Sequence, residues 1–170
     1  MKEWKESGKL AFGQVPLLQD GDFNLVQSGT IARYLARKFD MYGDEKTGAI
    51  SDMIMDGGND FLNKILPAIY PKLDAEKMTE LKKDVIPTFM GHFEKIVGDY
   101  VGASGLLGGD KICLGDLLLF LLTESYIFSY QLVDADSYPK LVAHKAKVEE
   151  NENLQKYIKG DKRYPVRKLE

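Results

Sequence analysis

Strand-forming signal in this chain is confined to one short stretch, and that confinement decides what the remainder can be. Leu17-Leu18-Gln19 and Phe23-Asn24-Leu25-Val26 are apolar segments flanking Asp20-Gly21-Asp22. Asp-Gly between two such runs signals a hairpin, because glycine accepts the positive φ that a two-residue turn requires. Directly behind it, Ile31, Ala32, Leu35, Ala36 and Phe39 recur at helical spacing, with Ser28 placed to cap the helix start. Asp40 to Gly43 ends that helix. An isolated two-stranded hairpin is marginal in water, so other structure must cover it.

From Asp44 onward helical periodicity takes over. It predicts helices over Glu45–Lys72, Ala75–Val101, Cys113–Tyr130, Tyr138–Glu149 and Leu154–Lys159. Pro67 and Pro87 should kink or break the first two, since proline removes a backbone donor and clashes with the preceding turn. Gly102 to Asp110, with four glycines, reads as the most flexible loop. The apolar run Leu117–Leu122 is far shorter than the roughly 20 residues a membrane span needs, so it reads as a buried core helix. The fold class is therefore α+β, divided near residue 43. Residues 1–43 hold the hairpin and its helix, and residues 44–170 form an all-helical bundle.

Composition excludes several classes of function. A net charge of −3 argues against nucleic acid, whose phosphates demand a basic surface. The tail carrying Lys156, Lys159, Lys162, Arg163, Arg167 and Lys168 is interleaved with Asp161 and reads as solvated surface. A single cysteine, Cys113, rules out an internal disulfide and a cysteine-rich metal site. Met1 to Ser7 is charged and not an apolar leader, so the expected home is the cytoplasm, with no membrane partner.

Several motifs carry chemistry, each with a plain structural alternative. Val15-Pro16 is either a proline opening a strand or a cis peptide. Ser28 is a helix cap, a donor site for a carboxylate at a helix N-terminus, or both. Asp52, Asp56 and Asp60 share one helix face and read as a solvated or interface stripe rather than a cation site. Cys113-Leu114-Gly115-Asp116 is a capping box with a thiol where a hydroxyl belongs. It predicts a weakened cap over an intact helix, with Asp116 bonding back and the cysteine acting as a small buried hydrophobe. His92 and His144 have no companion ligand near them in sequence and read as structural or exposed.

Gly13-Gln14-Val15-Pro16, the Asp-Gly hairpin, Gln27-Ser28 and Ile31-Ala32-Arg33-Tyr34-Leu35-Ala36-Arg37, followed by an all-helical remainder, resemble a cytosolic glutathione transferase. The likeness continues in Asp52-Met53, Asp56-Gly57, Asp60 and Tyr70, and its spacing is nearest to the pi class. It implies a partial thioredoxin-like N-terminal domain followed by the helical domain, and conjugation of glutathione, as co-substrate, to small hydrophobic electrophiles. No cofactor or metal is implied. By resemblance, Val15 precedes a cis proline, Pro16, and meets the cysteinyl part of glutathione, with Gln14 beside it. Gln27 and Ser28 hold the γ-glutamyl end, Trp4 and Lys9 meet the glycyl carboxylate, and Asp60 reaches the γ-glutamyl amine on a partner subunit. Tyr70 matches a hydroxyl lining the electrophile pocket. Phe12, Arg33, Arg37, Asp52 and Asp56 match a two-fold interface, which implies a homodimer.

The resemblance also implies a gap. In this family a tyrosine on the first strand donates to the glutathione sulfur. The first strand, first helix and second strand, a unit of about 30 residues, are expected to be missing ahead of Phe12. No catalytic residue is assigned on this chain. The alternative to an enzyme is a non-catalytic transferase-like protein serving dimerisation, ligand binding or a crystallin-like role.

Overall fold

The hairpin forms where its turn residues demand it. In the computed structural model, which describes residues 4, 6–70, 72–161 and 163, strands β1 (Leu17–Asp20) and β2 (Phe23–Val26) pair antiparallel. Leu17 lies opposite Val26, and Asp20 opposite Phe23. Gly21 opens the two-residue turn at φ 59°, a conformation that a Cβ would resist. Gln19 Nε2 donates to Asn24 Oδ1 across the ladder at 3.0 Å.

Helix α1 (Ser28–Lys38) is tied to the hairpin tip by polar contacts. The Tyr34 hydroxyl donates to Asp20 Oδ2 at 2.5 Å, and the Lys38 ammonium pairs with the same oxygen. Lys38 first and Tyr34 second hold the Asp20 carboxyl below the usual carboxylate range. Apolar burial is sparse in this unit, Met1–Tyr42: among the described residues it is limited to Leu10, Val26 and Ala36. Ile31, Ala32 and Leu35 are only half-buried, and Phe39 is exposed.

The second unit, Gly43–Glu170, contains α2 (Glu45–Ile69), α3 (Ala75–Lys83), α4 (Val85–Tyr100), α5 (Leu114–Thr123), α6 (Pro139–Glu149) and α7 (Glu152–Lys159). A π-helical segment, Glu124–Ser129, extends α5, and a short 3₁₀ turn covers Ala135–Ser137.

The prolines act differently from expectation. Pro67 leaves α2 unbroken, because it sits in the last turn and the ladder resumes with Tyr70 N–H donating to Leu66 C=O at 2.9 Å. The Ala75–Val101 pattern does divide, but at Asp84. Pro87 thereby falls in the first turn of α4, where its missing N–H would have had no intrahelical acceptor.

The core centres on Phe61, which is fully buried and packs against Phe89, Phe93 and Tyr126 with ring centroids 5.1, 6.2 and 4.8 Å away. Helix α5 lies against both α2 and α6. Its apolar run is not buried all round, since Leu121 is 59% exposed. The Gly102–Asp110 loop, expected to be the most flexible, is anchored instead. Leu106 and Leu107 are buried, and Leu107 N–H donates to Asp116 Oδ1 at 2.9 Å. No helix among the described residues is long and apolar enough to cross a membrane.

Candidate functional site

The hairpin register sets the geometry. With Leu17 paired to Val26, residues 15–16 and 27–28 emerge at the same end of the ladder, opposite the Gly21 turn. The Val15–Pro16 peptide is cis, as the resemblance implies. Val15 is 53% exposed and lies outside the β1–β2 pairing, so its backbone is not committed to the sheet.

Gln27 adopts φ 73° and ψ 116°, a region that residues with a Cβ rarely occupy. Such strain persists where surrounding structure enforces it, and it clusters at ligand-binding positions. It also corrects the expected role of Ser28. Gln27, not Ser28, is the N-cap: its carbonyl accepts Ile31 N–H at 2.9 Å, and Ser28 is the first helical residue. The Gln27 side chain makes no cap bond, and the first turn of α1 holds no acidic residue. Gln27 and Ser28 are both exposed. The start of α1 is thus an open set of N–H donors at the positive end of a helix dipole.

The segment before β1 is a loop. Gly13 N–H donates to Leu10 C=O at 2.8 Å, closing a turn near whose tip Phe12 stands 69% exposed. Gln14 and Pro16 are exposed. Ser7 links the two residues assigned to the glycyl end: its hydroxyl donates to Trp4 C=O at 2.8 Å and accepts Lys9 N–H at 3.3 Å. Trp4 is 45% exposed and Lys9 is exposed. On α1, Arg33 is half-buried, while Arg37 is exposed with its guanidinium 3.9 Å from the Tyr42 ring centre.

In the second unit, Asp52, Asp56 and Asp60 follow one another along one face of α2, Asp52 half-buried and the other two exposed. No cluster able to hold a metal ion occurs among the described residues. Tyr70 sits at the C-cap of α2 and is 56% exposed.

Sequence reasoning missed a buried polar network around Asp116. Its Oδ1 lies 2.8 Å from His144 Nε2, with both side chains fully buried, and its Oδ2 accepts Cys113 N–H at 2.9 Å. Burial raises the Asp116 pKa, but His144 and the Leu107 and Cys113 N–H groups outweigh it and hold the carboxyl below its usual range. Burial, then the Asp116 charge, pushes the Cys113 thiol up to about 11, so it is no nucleophile near neutrality. The missing cap hydroxyl arrives from elsewhere. Ser51 Oγ on α2, fully buried, accepts Gly115 N–H at 3.0 Å and lies 3.8 Å from Cys113 Sγ. The Asp116 half of the box was visible in the sequence, whereas Ser51 and His144 carried no signal of their own.

Comparison with known proteins agrees with this architecture. The glutathione S-transferase C-terminal domain model matches residues 59–161, and the N-terminal domain model matches residues 1–37. Glutathione S-transferase P of Pongo abelii is 33% identical over 163 residues, covering 93% of this chain and 76% of the relative. Glutathione S-transferase 2 of Onchocerca volvulus is 33% identical over 150 residues, covering 86% and 70%. The solved pi-class glutathione S-transferase of Onchocerca volvulus superposes with a TM-score of 0.74 at 30% identity, covering 92% of this chain and 76% of that one. A partial thioredoxin-like domain and a helical domain, each matched to its own model, place this chain in the glutathione S-transferase family, close to the pi class.

Proposed function

We propose that this chain binds glutathione at the open end of its hairpin. The observation that carries the reading is the start of α1. Its first-turn donors are left without a capping side chain, beside a strained Gln27 and the cis Val15–Pro16 peptide. A γ-glutamyl carboxylate fits those donors, with Gln27 and Ser28 closing on it. Val15 then offers its free backbone to the cysteinyl part, flanked by Gln14 and Pro16. Trp4 and Lys9, bridged by Ser7, take the glycyl carboxylate. In a homodimer, Asp60 of a partner subunit meets the γ-glutamyl amine, and Phe12, Arg33, Arg37, Asp52 and Asp56 form the interface. Tyr70 lines the pocket for a small hydrophobic electrophile. The likeness to the pi class supports a cytoplasmic setting.

The intact family reaction needs a thiolate. Free thiols of this kind ionise near pH 8.5, and only the ionised form attacks. The residues before Pro16 include no tyrosine, and their one hydroxyl, Ser7, already bonds Trp4 and Lys9. We infer that these residues hold the glutathione thiol without activating it. A non-catalytic, ligand-binding or crystallin-like role rests on the same observation.

Retention on immobilised glutathione, with elution by free glutathione, tests the binding reading. Conjugation to a reactive chloronitroarene then separates the two roles. A rate that climbs with pH through about 8.5 is the expected result, because the thiol then ionises unaided. A rate already level near pH 7 means a group on this chain activates the sulfur. No retention at all overturns the site.

A further inference from the structure

Val97, Gly98 and Val101 at the end of α4, Gly105 in the following loop, and Lys140, Ala143 and His144 on α6 line an open cavity of about 320 Å³. All of them lie in the second unit, so nothing here depends on the glutathione reading. The walls are aliphatic side chains and bare glycine backbone. Lys140 is the one lysine among the lining residues, which include no arginine and no carboxylate. Its ammonium rests on Gly98, in the space that a Cβ there would need. Glu94 is nearby in the fold, but its two oxygens accept Lys140 N–H and Leu141 N–H at 2.9 and 2.8 Å. Among the described residues no ion pair involves Lys140. His144, whose Nε2 faces Asp116, has an Nδ1 with no hydrogen-bond partner among the described residues.

We propose that this cavity binds a small monocarboxylate with an aromatic or branched aliphatic body. The carboxylate would pair with Lys140 Nζ, and the body would lie against Val97, Val101 and Ala143. An apolar pocket with one or two polar groups suits such a ligand in both size and polarity. A single ammonium matches one negative charge, whereas a doubly charged phosphate calls for several convergent donors. The lining offers no carboxylate to hold a metal ion.

Titrating the ¹⁵N-labelled chain with benzoate tests the site. The Gly98, Gly105 and Ala143 amides should shift saturably with a Kd on the order of 1 mM, as suits a ligand of about nine non-hydrogen atoms. Lys140→Met keeps the stem and removes the charge at an exposed position, so it should fold normally and weaken benzoate by about tenfold. Benzamide, a neutral isostere, should bind wild type about tenfold more weakly than benzoate, and Ala143→Leu should abolish both by filling the cavity. The proposal fails if those amides do not move by about 20 mM benzoate, a concentration well above the expected Kd. It also fails if Lys140→Met leaves benzoate affinity unchanged, if benzamide binds as well, or if inorganic phosphate moves the same amides with equal affinity.

Discussion

The two units of this protein differ in how they treat helix starts: in the second, every helix but α4 has a side-chain acceptor at its start, and in the first α1 has none. In Gly43–Glu170, α2, α3 and α7 are capped by their own Asp44, Asp74 and Asn151, which accept N–H bonds at 2.8, 3.0 and 3.0 Å. At α5 and α6 another helix adds an acceptor, while α4, starting at Asp84, has no side-chain cap bond. Ser51 serves α5 behind Cys113, and Glu94 serves α6 behind Tyr138. In Met1–Tyr42, α1 has no such help: its cap residue is strained and its side chain makes no cap bond. An unsatisfied helix start is a cost to stability and an asset to anion binding. On the proposed reading, the second unit serves stability and the first serves glutathione recognition.

The sharpest way to break that division is at Asp116. Asp116→Ala removes the acceptor of Leu107 N–H, Cys113 N–H and His144 together, leaving buried donors unpaired. The expected loss is about 3–5 kcal/mol in urea unfolding followed by circular dichroism. The pH dependence has a definite sign. A carboxyl whose folded pKa lies below its unfolded value contributes stability that is present above the unfolded pKa and vanishes as pH falls through the folded one. Wild type should therefore lose stability progressively below about pH 4, while Asp116→Asn should show a flatter profile across that range. A loss within the noise for Asp116→Ala would mean that the network is decoration.

The shared cap of α5 tests the same contrast at smaller scale. Ser51→Ala should cost about 1–2 kcal/mol by stranding Gly115 N–H. Cys113→Ser puts a hydroxyl back at the N-cap and should recover about 1 kcal/mol of that in the double variant. The two effects should be non-additive because both hydroxyls compete for donors of one helix turn. Simple additivity would show that Ser51 acts through packing alone.

What the sequence disclosed divides along the same line. The Gly21 turn, the stripe behind Ser28 and the five helical patterns were legible because they depend on local periodicity and turn chemistry. The Asp116 side of the capping box was legible because it is spaced within one helical turn. Ser51 and His144 were not, since their partners lie 64 and 28 residues away in the chain, beyond any local pattern. Pro87 was read as a breaker, yet the break fell at Asp84, because a proline is tolerated in the first turn of the helix that follows. Ser28 was read as the cap because its residue type suits that role. The positive φ of Gln27, which starts the helix one residue sooner, is a conformation that its residue type does not announce.

The smallest change in stability belongs to Gln27 and Ser28, and there the comparison is most discriminating. Gln27→Gly removes the Cβ that opposes φ 73° and should stabilise the protein by up to about 1 kcal/mol, while Ser28→Ala should change stability by less than about 0.5 kcal/mol. Both should nonetheless weaken retention on immobilised glutathione, Ser28→Ala by about tenfold, as loss of one hydrogen bond to a carboxylate predicts. Calorimetric titration with glutathione alongside thermal melts reads the two effects separately. A residue that merely capped α1 would show the reverse pattern, with Ser28→Ala lowering the melting temperature and leaving glutathione affinity intact. Improved stability together with impaired binding would identify the start of α1 as a place where the fold forgoes its own hydrogen bonds to hold a ligand.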